Sequence, residues 1–403
     1  MAGTGSGTVT SVPAGINCGS DCDEIYGYGT VVTLKATPAS GSYFGGWSGG
    51  CESLTLTCKV RTDDARNVTA TFISGTPSMN TWALSYGQSG NNRDLEYAKS
   101  IQQTSDGGFI VAGERYYSSL ASLGLWVIKV AADSSTVWEK SYNIPGVSSI
   151  ATESLQQTVD GGYIITGQSQ TPTEYWILKL KDDGSVQWLV KFGRSQYDRP
   201  TSITETSDGG YLVAGMTTPV AGNIDVWVVK LRGDGSIEWN NTYGTTGQEG
   251  GFGVSIKEVS TGGYILATAG YTLGLGNYDA WILKLNTDGT IAWQNAYGEA
   301  LSNIARSVEE TSDGGYIAAG EKSASGSLDV WLQKIDSSGN IVWSKTYGGT
   351  GTERAYSARQ TSDGGYIMLG VTDSFGAGDD DIWVIKVDGS GTLVWEKTYG
   401  TVT

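Results

Sequence analysis

The chain contains no histidine. That absence removes the commonest general base at neutral pH and the commonest ligand for transition metals, which excludes a Ser-His-Asp hydrolase and a histidine-held metal centre. Carboxylate chemistry stays open, because a glycosidase works with two acids and a sialidase with Arg, Tyr, Asp and Glu. No apolar run approaches the ~20 residues of a membrane span. The Met1-Ala2-Gly3 start has no charged segment followed by an apolar stretch, so the reading expects neither a membrane anchor nor a signal peptide in this sequence. Positive charge is also scarce: 26 Lys and Arg face 42 Asp and Glu, a net charge of −16. That balance argues against nucleic-acid partners and against docking on anionic lipid. Only four cysteines occur, Cys18, Cys22, Cys51 and Cys58, all near the N-terminus.

What the chain has in quantity is glycine and large aromatics, with 59 Gly, 14 Trp and 22 Tyr, and they repeat. Asp106-Gly107-Gly108, Asp160-Gly161-Gly162, Asp208-Gly209-Gly210, Thr261-Gly262-Gly263, Asp313-Gly314-Gly315 and Asp363-Gly364-Gly365 recur every 48 to 54 residues. A period near fifty belongs to propellers or solenoids. Within residues 357–399, "SARQTSDGG" reads as a polar strand, and "GYIMLG", "DIWVIKVD" and "TLVWEKTYG" as three more, joined by short Gly turns. The second and third strands are nearly continuous in apolar residues, as suits sheets covered on both faces. The reading is therefore all-β: a six-bladed β-propeller of four-stranded antiparallel blades over residues 76–403. A small β-rich domain at residues 1–75 precedes it, joined through the linker "SGTPSMN".

Cys18 and Cys22, and Cys51 and Cys58, are each close enough in sequence for a local disulfide. The rival is one zinc site built from all four. Spacings of four and seven miss the usual zinc knuckles, and a small core gains from staples, so two disulfides are expected. Disulfides place the protein outside the cell or on its surface, and the sequons at Asn67 and Asn240 are compatible with that.

Two resemblances follow from these residues. The run from "GYIMLG" to "DIWVIKVDGSGTLVWEKTYG" resembles the blade grammar of kelch and quinoprotein-type propellers, and tandem repeats of secreted bacterial and archaeal surface proteins. This implies an architecture and no particular activity, since propellers host binding proteins, scaffolds and enzymes alike. The segments "GTVTSVPAGINC", "GTVVTLKATPASGSYFGGWSGGC" and "NVTATF" resemble the divergent internalin-B-type repeat of bacterial surface proteins. That implies a spacer or adhesive module without catalytic residues.

One count is uneven. Strands one to three occur six times, but the fourth occurs seven times once Trp82–Tyr86 in "TWALSYG" is included. Trp82 and Trp395 then compete for one outer edge. The surplus strand either lies over the seam of the ring or pairs with another subunit, which makes residues 81–87 and 393–399 candidates for self-association.

Turns at Asp-Gly-Gly and before each fourth-strand Trp are short and uniform, whereas the fourth-to-first and second-to-third connections vary and share one face. Variable loops on a rigid scaffold are where sites collect. Residues that every blade repeats read as scaffold: the Trp positions for packing, Lys129, Gln103 and their counterparts for a polar network between blades, and Ser100 and its counterparts as hydrogen-bonding residues near the channel mouth. The binding candidates are blade-specific: Arg93, Asp94, Glu96, Tyr97, Arg115, Tyr116 and Tyr117; Arg194, Tyr197, Asp198 and Arg199; Glu353, Arg354 and Tyr356. Tyr rings beside Arg and carboxylates suit sugars, the ring stacking while the charges hydrogen-bond. Asp225, Asp279, Asp329 and Asp381 precede the third-strand Trp by two residues, either as calcium ligands or as Asx-type turns. The Asp-rich loop with Asp373, Asp379, Asp380 and Asp381 is the calcium candidate, and no other cofactor is expected. The partners expected are glycans or surface proteins. A carboxylate-dependent glycoside hydrolase is the enzymatic alternative.

Overall fold

The computed structural model describes residues 3–18, 22–39, 41–49, 57–62, 64–74, 96–117, 122–147, 149–170, 173–194, 197–220, 223–245, 247–271, 278–298, 301–324 and 326–400. The chain divides into two compact units, Met1–Tyr86 and Gly87–Thr403.

In the first unit a sheet runs in the order Asn17–Cys18, Gly7–Val12, Val31–Pro38, Thr57–Arg61, and Ser42–Gly49 pairs with Val68–Ser74. Alternation puts Val9, Val32, Leu34 and Ala36 inside with Trp47, Val60, Ala70 and Phe72. Cys18 is bonded to Cys22. Cys58 is buried and disulfide-bonded, while Cys51 lies outside the described residues.

The second unit is a six-bladed β-propeller whose blades are four-stranded antiparallel sheets, each with its strands in sequence order. Blade one is Glu96–Gln103, Phe109–Tyr117, Ser122–Val130 and Thr136–Tyr142, and blade six is Glu353–Gln360, Tyr366–Thr372, Asp381–Val387 and Leu393–Tyr399. Blade six thus takes Trp395 in its own fourth strand. Residues 81–87, the rival expected for that outer edge, lie outside the described residues.

The first-to-second hairpins show why the sequence repeats Asp-Gly-Gly. The middle glycine takes positive φ, 78° at Gly209 and 82° at Gly107, which a side chain resists. A Cβ on the next glycine would collide with the Lys ammonium and the carbonyl that ends strand three. The aspartate is the hub: in blade three its Oδ1 accepts from the Thr206 hydroxyl (2.6 Å), the Gly210 amide (2.9 Å) and the Lys230 ammonium (3.0 Å). Lys129, Lys179, Lys334 and Lys386 reach Asp106, Asp160, Asp313 and Asp363 in the same way. The recurrent lysine therefore pins its own blade, contrary to the inter-blade role expected of it. In blade four, where Thr261 replaces Asp, Lys284 donates to the Gly262 carbonyl instead.

Blade-to-blade contacts come from the first and fourth strands. Ser100 accepts from the Leu155 amide and Ser307 from the Ala358 amide of the following blade. Gln157, Glu205, Glu258, Glu310 and Gln360 accept from the hairpin amides of the preceding one. These stitches run between neighbouring first strands. At the outer end Trp138, Trp188, Trp239, Trp293 and Trp343 each donate from Nε1 to a carbonyl in the next blade's third turn. Their rings meet Tyr163, Tyr211, Tyr264, Tyr316 and Tyr366. Between them lie the apolar second and third strands, with Leu212, Ala214, Val226 and Val228 packed on Tyr264, Leu266, Trp281 and Leu283.

Two predictions follow from the hairpin hub. Thr261→Asp supplies blade four with the missing carboxylate opposite Lys284 and is expected to stabilise the propeller by about 0.5–1 kcal/mol, read as a higher midpoint in thermal or denaturant unfolding. The second concerns acid. At Asp106 and Asp208 partial burial pushes the carboxyl up, but the Lys, Thr and Gly donors outweigh it and hold it at about 2. At Asp313 the Thr311 hydroxyl leads the pull to about 2. A folded value below that of free Asp means stability that is complete above roughly pH 4 and lost as pH falls through about 2. Asp208→Ala is expected to flatten that acid limb and lower the midpoint at pH 7.

Candidate functional site

Antiparallel order sends both sets of hairpin turns to one face of the propeller and the two variable connections to the other. On the variable face, blades four to six bring together a patch of rings and charges. Phe252 meets Tyr278 edge to face at 4.8 Å, and Tyr271 meets Tyr278 at 5.3 Å. The Phe252 carbonyl accepts from Arg306, whose guanidinium lies 5.5 Å from the Tyr356 ring centre. Arg306 also grips Glu321 with two bonds of 2.6 and 2.7 Å. Arg354 stands 4.0 Å from the same Glu321. Glu321 is buried, and the forked guanidinium satisfies both of its oxygens. Tyr356 is 49 % exposed and Tyr271 40 %. The result is an Arg–Glu pair with the Tyr356 ring over its guanidinium and the backbone of Phe252, itself in a cluster with Tyr278 and Tyr271, on its other contact.

Of the residues singled out in the sequence, Arg354 and Tyr356 belong to this patch. Glu353 does not face solvent: it is fully buried and accepts from the Thr372 hydroxyl and the Gly349 amide. Arg199 forms a forked pair with Glu153 on blades three and two, near the exposed ring of Tyr197. Arg194 lies over Trp227, 5.6 Å from the ring centre. Asp198 is buried and accepts from the Thr217 hydroxyl and the Arg194 amide, so it shapes the loop. Arg115 is engaged within its blade, paired with Glu139 and placed over Trp126. Tyr97 is exposed and Tyr116 half-buried. Arg93 and Asp94, and the side chains of Glu96 and Tyr117, lie outside the described residues.

Phe252, Tyr271, Tyr278, Arg306 and Glu321 were not singled out from sequence. Arg306 precedes a recurrent Ser in a strand otherwise read as scaffold, and Glu321 sits in a buried strand. The signal available was register: blade five alone places Arg at that first-strand position.

Asp373, Asp379, Asp380 and Asp381 do not converge. Asp373 accepts from the Thr352 amide across the loop. Asp381 is buried and accepts from the Ala377 amide four residues before it, closing its own loop. Asp379 and Asp380 are exposed. Among the described residues no three Asp, Glu, Cys or His side chains cluster to hold a metal ion.

At Glu174, Asp225 and Asp329 the recurrent third-strand acid meets an acid from the next blade. A Cβ on Gly348 would collide with both Asp329 and Glu353, and one on Gly193 would touch both Glu174 and Asp198. Burial first, then the charge of Glu353, pushes the Asp329 carboxyl up, and burial and Glu249 do the same at Asp225. Two like charges in one enclosed site cost stability at neutral pH. Asp329→Asn removes one of them and is expected to raise the thermal midpoint at pH 7. The gain should shrink toward pH 4, as protonation relieves the wild type; a loss of stability at pH 7 would contradict the carboxylate pair.

Residues 1–76 match the family model described as the divergent InlB B-repeat domain. A search of curated proteins returned no match. Among solved structures, the chain is similar to the α-L-arabinanase of Penicillium chrysogenum complexed with arabinobiose (12 % identity, TM-score 0.49, 75 % of this chain and 95 % of that one). It is similar to the α-L-arabinofuranosidase of Fusarium graminearum in complex with an iminosugar inhibitor (10 %, 0.46, 73 % and 97 %). It is also similar to Drosophila Plexin A in complex with Semaphorin 1b (8 %, 0.45, 76 % and 79 %). These likenesses concern the fold.

Proposed function

We propose that this is an extracellular or cell-surface binding protein that takes carbohydrate on the variable-loop face of its propeller. The observation that carries the reading is the patch of Tyr271, Tyr278, Phe252 and Tyr356 around the Arg306–Glu321 pair. Exposed rings offer apolar faces to the C–H side of a sugar. A guanidinium already held by a buried carboxylate presents its remaining donors without losing side-chain freedom on binding. The N-terminal InlB-type repeat and its disulfide support a location outside the cytoplasm, and the net charge of −16 keeps such a surface soluble. Calcium enters this proposal only as an accessory at the acidic loop of blade six.

The test is a broad glycan array with the oxidised full chain, with and without a calcium chelator, followed by titration of the best ligand. Tyr356→Ala is expected to weaken binding at least tenfold, about 1.4 kcal/mol, with thermal stability unchanged because the ring is half exposed. Arg199→Ala, on the opposite blades, should change affinity little. Silence on the array in both conditions would remove the carbohydrate reading.

A further inference from the structure

The third strand of blade five, Ser327–Ile335, breaks a pattern that the other blades keep. Two residues after the strand's Trp they place Ile128, Leu178, Val229, Leu283 and Ile385, each at most 2 % exposed. Blade five places Gln333 there, buried to the same degree. Its Nε2 has no hydrogen-bond partner among the described residues. A buried donor left in that state costs stability, and an aliphatic residue at the same place avoids the cost.

Beside Gln333 the packing opens. Between blade five and the fourth strand of blade four, Ile291–Tyr297, lies a cavity of about 200 Å³. Trp331 and Tyr297 line it, with Asn303, Lys322 and Ser344 as its other polar side chains. Trp331, Tyr297 and Asn303 are buried and form the floor with Gln333, whereas Ser344 and Ile341 are exposed and stand at the mouth. Ser344 lies across from Gln333 in the strand pairing and accepts from the Trp331 indole at 3.0 Å. Its own hydroxyl proton is then left to donate.

The position recurs around the ring. One junction earlier, Tyr243, Trp281, Ile291 and Gln294 take the places of Tyr297, Trp331, Ile341 and Ser344 around a cavity of about 380 Å³. There Leu283 stands where blade five has Gln333, so no donor is left without a partner at that point.

We propose that the cavity between blades four and five is a binding site for a single pyranose ring, held by the Gln333 amide. A void of roughly 150 Å³ takes a benzene ring, so about 200 Å³ suits one six-membered ring with substituents. Indole and phenol walls fit the C–H face of a sugar. The Gln333 amide, the Lys322 ammonium and the Ser344 hydroxyl are donors, which a ring bearing several hydroxyl oxygens satisfies and a hydrocarbon does not. None of the rings or charges of the variable-face patch lines this cavity, so the site stands independently of the function proposed above.

The test titrates the full chain with methyl α-D-glucopyranoside, methyl α-D-galactopyranoside and methyl α-D-mannopyranoside, read by saturation-transfer NMR. For a ligand of about a dozen non-hydrogen atoms, a dissociation constant on the order of 1 mM is expected. Gln333→Leu, which copies the other blades, should weaken that binding at least tenfold and raise the thermal midpoint, because the unpartnered amide is gone. Ser344→Trp at the exposed mouth should block binding as well, and Tyr356→Ala should leave it unchanged. The proposal is overturned if none of the three glycosides binds the unmodified chain, or if Gln333→Leu binds as well as that chain does. Binding that Tyr356→Ala abolishes overturns it too, by assigning the sugar to the variable face. So does a lower midpoint for Gln333→Leu, since the amide is then already satisfied by fixed water.

Discussion

A blade of this protein has two apolar faces and no means of covering either, and the rest of the structure depends on that constraint. Second and third strands buried on both sides have no polar alternation to spare, so each sheet is stable only when sandwiched between neighbours. The polar contacts then act at the rims of these apolar layers. Ser and Gln or Glu join neighbouring first strands on one side, and Trp Nε1 with its ring grips the next blade on the other. The Lys–Asp hub does a different job: it fixes the hairpin within a blade, so that the face offered to the neighbour is already formed.

This division of labour leaves the variable-loop face free. Loops there are held at both ends by strands whose positions the junctions set, so aromatic and charged side chains can be displayed without themselves holding the fold together. The Arg306–Glu321 pair shows the limit of that freedom. Its carboxylate is buried and its guanidinium bridges to the Phe252 carbonyl of the preceding blade, so the patch is stiff where it meets the scaffold and exposed only at its rings. The acid pairs such as Asp329 with Glu353 impose an opposing cost at the same rim, a local like-charge penalty in an otherwise well-satisfied ring.

The architecture was largely legible in the sequence because its determinants are local and repeated. Asp-Gly-Gly announces a hairpin through backbone conformation, apolar runs of strand length announce two-sided burial, and a period near fifty announces blades. Repetition also separates scaffold positions from blade-specific ones, which is why Tyr356 and Arg354 stand out as candidates. It misled where a residue's partner is set by three-dimensional register: the recurrent lysines turned inward to their own hairpins, Asp198 and Glu353 went into the interior, and the blade-six aspartates dispersed into separate turns. It missed Arg306 and Glu321 because a pair formed between adjacent strands, with aromatic neighbours from another blade, has no sequence spacing of its own.

The central claim is that stability resides in the junctions between blades and not in the blades. Hydrogen exchange of the full chain, resolved by segment, tests it directly. The account predicts that the second and third strands of blades two to five exchange together with one common free energy, and that the far side of blade six, including residues 381–399, exchanges sooner. Blades that open one at a time with unrelated rates, or a blade six as protected as its neighbours, would contradict it.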